Sequence, residues 1–293
     1  IEMLLILKTL FILRVFRAKL VNVLINLPLM PNKNFLKPRT SDVLYILGCG
    51  SSVNDLSDRQ IDLINKSDSI GINLFIVHEL IKPSYYSVEV VDSGHDDKVK
   101  NSQMYCTLLK EKTVRNKNLK FIATLESWST VKRIIPDILK YGEVNLVQQV
   151  GIPGRSVKHF SKLHQFAISR SIKKLLSPEM TFGKNASVVS LVYFGILRGY
   201  KNIVLCGVDL SAEYFWEGKS GALKYPGCKD FINMHKSNGI NHKTDLTPLP
   251  VSCVLSSINN SDCGTKLWVG TSSSKLSGKL PVFPFTDQYT SQS

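Results

Sequence analysis

From Ser41 onward, short apolar runs alternate with amphipathic stretches. Val43–Leu47, Ser69–Asn73, Tyr85–Val91, Leu119–Ala123, Val144–Val147, Asn202–Cys206 and Lys266–Val269 read as strands, four to seven residues rich in β-branched and aromatic side chains. Between them, Asn54–Asn65, Lys98–Lys112, Val157–Leu176, Ala186–Gly199 and Thr247–Asn259 read as helices. This alternation predicts an α/β domain over residues 41–293, with a mostly parallel sheet covered by helices on both faces.

Ile1–Met30 follows another pattern. Leu, Ile, Val and Phe dominate, with Lys8, Arg14, Arg17 and Lys19 set inside the apolar stretch. The uncharged runs are shorter than the about 20 residues a spanning helix needs. The charges are also misplaced for a signal peptide. We read residues 1–40 as an amphipathic helix lying in an anionic membrane interface, followed by a linker at Pro31–Pro38. A helix packed on the domain is the alternative.

In parallel α/β sheets, ligands gather at the carboxyl ends of the strands. Here those ends are Gly48–Ser52, Asn73, Glu89–Asp92, Gly207–Asp209 and Gly270–Ser274, all rich in Gly, Ser, Asn and Asp. Gly48, Gly50, Ser51 and Ser52 follow an apolar strand, as in a nucleotide-binding loop. The third glycine of a dinucleotide fingerprint is missing, and Asn73 stands where such sites carry an acid for the ribose. That disfavours a dinucleotide enzyme or a methyltransferase. Thr181–Ser187 opens a helix with small polar residues, where Lys184 and Ser187 are placed to meet an anion. Asp209 ends the next strand, with substrate contact and support of the following loop both open to it. Residues 211–241 form a long aromatic-bearing segment, Tyr214-Phe-Trp216 within it, that reads as a lid. It leads to His235 and His242, candidates for a general base.

Composition narrows the partners. The net charge of +14 over 293 residues favours anionic ligands or surfaces. The excess is spread, with no basic arm, so nucleic acid is not expected as a partner. The six cysteines include no Cys-x-x-Cys and no zinc spacing, and Asp96-Asp97 is no Asp-x-Asp after a strand, so no metal or other cofactor is expected.

The first loop, Gly71-Ile-Asn73, Tyr85-Tyr-Ser-Val-Glu89, the small-polar helix start, Gly199-Tyr-Lys-Asn-Ile-Val-Leu-Cys-Gly-Val-Asp209, the aromatic lid, His242 and the Ser-rich final loop occur in an order that resembles bacterial sialyltransferases of glycosyltransferase family 42. The likeness covers roughly Val43 to Phe285. It implies a single Rossmann-like domain of the metal-independent GT-A variant type. It also implies a CMP-linked sialic acid or related ulosonate as donor, and inversion at the anomeric carbon. By motif, Gly48, Gly50, Ser51, Ser52, Asn73, Glu89, Lys184, Ser187, Asp209, Ser272 and Ser273 would line the donor site, Tyr214 would touch the leaving phosphate and His242 would be the base. The family's arginine at the helix start is Lys184 here, and its second lid tyrosine is Ser211. The implied acceptor is a surface glycan or glycolipid at the cytoplasmic face of a bacterial inner membrane, and a homo-oligomer is compatible with it. A CMP-Kdo-dependent Kdo transferase and a non-catalytic nucleotide-binding module are the alternatives.

Overall fold

The computed structural model describes residues 2–29, 39–90, 120–125, 143–176, 180–184, 186–210, 213–217 and 247–286. Its centre is one eight-stranded sheet. The strands are β1 (Val43–Leu47), β2 (Asp68–Ile72), β3 (Tyr85–Val90), β4 (Lys120–Leu125), β5 (Glu143–Gly151), β6 (Met180–Gly183), β7 (Asn202–Cys206) and β8 (Lys266–Val269). Their order is β6-β5-β4-β3-β2-β1-β7-β8, and every pairing is parallel. The chain steps outward from β1 to β6, then returns to lay β7 on the free side of β1. The direction of winding reverses between β1 and β7, which opens a crevice at their carboxyl ends.

Both faces of the sheet are covered, as the apolar strands require. In β1, Leu44 and Ile46 point into one core while Val43, Tyr45 and Leu47 point into the other. The first core also takes α3 (Val157–Ala167), α4 (Arg170–Lys173), α5 (Ser187–Leu197) and α6 (Val251–Asn259). The second takes α2 (Asp58–Asn65), the 3-10 turn Asn73–Val77, and Phe215, Trp216, Phe283 and Phe285.

The sequence boundaries shift where capping decides them. The stretch read as one helix from Asn54 divides into a 3-10 turn, Ser51–Asp55, and α2. Ser57 starts α2 through a capping box: its hydroxyl accepts from the Gln60 N–H, and Gln60 Oε1 accepts from the Ser57 N–H. The Val157–Leu176 helix breaks at Ser169, the N-cap position of α4. β2 ends at Ile72, and Asn73 begins a turn instead of closing the strand. The Lys98–Lys112 helix and the linker at 31–38 lie outside the described residues.

α1 (Glu2–Leu29) lies against the domain. Phe11, Val15 and Ala18, spaced i, i+4, i+7, are buried in the first core, where Phe11 meets Phe182 at a ring separation of 5.2 Å. Burying side chains such as Phe11 and Val15 contributes about 1.5–3 kcal/mol each. Arg14 Nη1 donates to the Gly151 carbonyl at 3.0 Å, and the Lys8 ammonium stands 5.1 Å over the Phe166 ring. α1 thus packs on the domain, as in the alternative given for this stretch. Among the described residues no helix is long and apolar enough to cross a membrane.

Candidate functional site

At the β1/β7 crevice, the two loops touch backbone to backbone. The Gly48 N–H donates to Cys206 O at 2.8 Å and the Gly50 N–H to Gly207 O at 2.7 Å. A Cβ on Gly48 would sit 2.5 Å from the Gly207 carbonyl oxygen, and one on Gly207, whose φ is +64°, would sit 2.3 Å from that of Gly48. No other residue type fits this approach.

Asp209 closes the junction. Its Oδ2 accepts the Ser52 N–H at 2.8 Å and its Oδ1 accepts the Ser52 hydroxyl. Both residues are buried. A Cβ on Gly50 would fall 2.3 Å from Asp209 Oδ2, so glycine at position 50 is what admits the carboxylate. Of the two roles open to Asp209, support of the loop is the one the geometry displays.

A third piece, the turn at residues 213–217, seals the same loop. The Ser51 N–H donates to Glu213 O at 3.2 Å, the Phe215 N–H to Cys49 O at 2.9 Å, and Tyr214 forms an antiparallel bridge with Gly50. Tyr214 stacks on the buried Trp216, with centroids 4.7 Å apart and planes within 8°. Asn54 Nδ2 donates to Phe215 O at 2.8 Å. Burial raises the pKa of Tyr214, helped by nearby Cys49 and Glu217, so its phenol stays a hydrogen-bond donor at neutral pH.

The loop after β8 completes the edge. Thr271 Oγ1 donates to Ser52 O at 3.4 Å, Ser273 to the Asp55 carboxylate, and Ser274 to Val208 O at 3.3 Å, while Ser272 O accepts the Ser277 hydroxyl at 2.9 Å. The amide groups of Gly48, Gly50, Ser51 and Ser52 are thus bonded inside the protein. These glycines serve the approach of loop to loop, and Tyr214 is held beside them by its bridge to Gly50.

The remaining sequence candidates spread along the carboxyl edge. Asn73 follows β2, and Glu89 sits in β3 opposite Thr124 of β4. Lys184 follows β6, five strand positions from β1, or roughly 24 Å along the sheet at about 4.8 Å per step. Its ammonium donates to Ile152 O at 3.0 Å and to Gly154 O, in the β5–α3 connection. Burial lowers its pKa, and the nearby Arg14 and Arg155 guanidinium groups lower it further. Ser187 opens α5, which carries the chain back across the sheet until Gly195 packs on Leu44 and Ile203. His235, His242, Ser211 and most of the lid at 211–241 lie outside the described residues; of that segment residues 213–217 are placed. No group of three or more His, Cys, Asp or Glu side chains with metal-holding geometry occurs among the described residues.

His164 was not singled out by the sequence pattern. It is fully buried on α3, with Nδ1 2.7 Å from Tyr193 Oη and Nε2 2.7 Å from Ser261 Oγ. Ser261 directs its own proton to Ile258 O at 2.6 Å, so Nε2–H is the donor to Ser261 and Nδ1 accepts from Tyr193. Burial pushes its pKa down to about 4, making it a neutral bolt between α3, α5 and the α6–β8 turn. Its signal was the spacing Phe160, Leu163, His164, Ala167, one buried helical face.

No family model matches this chain, and no curated protein matches it either.

Proposed function

We propose that this protein is an inverting glycosyltransferase that moves sialic acid, or a related nonulosonate, from its CMP derivative to a surface-glycan acceptor. The observation that carries the reading is the meeting of three loops at the β1/β7 reversal, where Gly48 and Gly50 lock against Gly207 and Asp209 and Tyr214 is fixed beside them. In open parallel sheets, ligands, nucleotides among them, bind where the winding reverses.

In this reading the acceptor hydroxyl oxygen attacks the anomeric carbon as the bond from that carbon to the phosphate oxygen breaks. CMP departs with the bonding pair, and the acceptor proton passes to a base. Tyr214 stays protonated and donates to the departing phosphate, a role that needs a hydroxyl held in advance at the place where charge develops. His242 is assigned the base by its position after the lid, since an imidazole titrates near working pH. The resemblance of Gly199–Asp209 to the sialyltransferase pattern supports this assignment of donor class.

The test is release of CMP from CMP-sialic acid and from CMP-Kdo in separate reactions, with and without a chelator. Chelator-resistant release from CMP-sialic acid, lost in His242→Ala, supports the reading. Release from CMP-Kdo alone moves it to a Kdo transferase. Neither release nor binding of either donor ends it.

A further inference from the structure

α1 has two apolar faces, and the domain covers one of them. Among the described residues eleven large apolar side chains are exposed, and eight of these are on α1. They include Ile6, Leu10, Leu13, Phe16, Leu20 and Leu24, each more than two-fifths exposed. At about 100° per residue, Leu13 lies about 200° round the helix from the buried Phe11, and Leu20 as far from the buried Ala18. The exposed arc is therefore opposite the docked one. A stripe of this length is not left facing water without a partner.

The charge around the arc selects the partner. From Met3 to Ser41 the chain holds seven basic residues and no acidic one, half of the whole protein's excess of +14. Lys8 and Lys19 fall along one border of the arc and Arg14 along the other, while Arg17 lies within it; Arg17 and Lys19 are exposed. Long basic side chains at such borders reach up to anionic headgroups while their stems lie on the apolar surface. A second copy of the helix would meet the same cations with no acidic flank to answer them, against the pairing rule for helical seams.

We infer that α1 is a docking splint: its Phe11–Val15–Ala18 face is fixed to the domain and its Ile6–Leu13–Leu20 face lies in the interface of an anionic bilayer. The clamp from Arg14 to Gly151 O, at the carboxyl end of β5, makes the splint rigid with the sheet. The carboxyl edge, where the candidate site lies, is then carried at a fixed attitude to the lipid surface. The inference rests on α1 and its charges alone, and it stands whether or not the crevice takes a CMP-sugar.

The experiment is flotation of the full chain with vesicles of phosphatidylcholine, with and without phosphatidylglycerol. Near-UV circular dichroism and light scattering are recorded for each protein. Wild type should float with the anionic vesicles, less so as salt is raised. Leu13→Glu with Leu20→Glu should lower partitioning by about tenfold or more, since two leucines leave the apolar phase. Leu80→Glu, at a leucine exposed on another part of the domain, should float as wild type does. If the double leucine variant does not fold, Arg17→Glu with Lys19→Glu decides, with a loss of about tenfold or more on anionic vesicles. Failure of wild type to float with either vesicle overturns the inference, as does undiminished flotation of a folded double variant. A dimer of wild type that Leu13→Glu with Leu20→Glu splits into monomers, without vesicle binding, assigns the face to a second copy instead.

Discussion

Asp209 receives both the backbone N–H and the hydroxyl of Ser52, across 157 residues of chain, and so ties the carboxyl end of β7 to that of β1. Asp209→Asn keeps the shape but leaves an amide NH2 facing one of two donors. A buried donor without an acceptor costs about 1–3 kcal/mol, and Ser52→Ala, which keeps the backbone bond, should cost less. Urea midpoints of the two variants check this. An Asp209→Asn protein as stable as wild type would show that the junction does not depend on the carboxylate.

Tyr214→Phe separates stacking from hydrogen bonding. The ring still lies on Trp216, so the melting temperature should hold. If the phenol donates to the leaving phosphate, kcat falls by about 100-fold, the scale of one lost transition-state donor. Unchanged turnover in the variant removes Tyr214 from the chemistry.

His164 should set an acid limit on stability. Its pKa is about 4 when folded, against 6.5 for the free group, so between these values the unfolded chain binds a proton that the folded one refuses. The contribution is complete above pH 6.5 and is lost as pH falls toward 4, by about 3 kcal/mol in all. His164→Gln should be less stable at neutral pH but flatter across that window. Parallel stability curves for the two proteins would contradict this.

The parts of the fold written in local pattern were readable. Asn202–Cys206 and Lys266–Val269 match their strands end to end, because each is one polar residue followed by an unbroken apolar run. β6 was missed: Met-Thr-Phe-Gly is four residues long, contains a threonine and a glycine, and is held by the Thr181 hydroxyl on Ser190 O. Sequence order also hid which loops meet. Ser52 and Asp209 become partners only because β7 returns beside β1, and Lys184 is carried to the far strand by the same topology. The docked face of α1 was present as Phe11, Val15 and Ala18, but it was masked by apolar residues all round the helix.

In the proposed function the β1/β7 crevice binds the nucleotide of the donor. Calorimetric titration of CMP into wild type, Gly50→Ala and Lys184→Met decides this. A methyl on Gly50 collides with Asp209 Oδ2, whereas Lys184 is bound to carbonyls five strands away. CMP should bind wild type and Lys184→Met equally, and folded Gly50→Ala should lose it. No binding by wild type, or binding that Lys184→Met abolishes and Gly50→Ala keeps, would rule out the crevice as the nucleotide site.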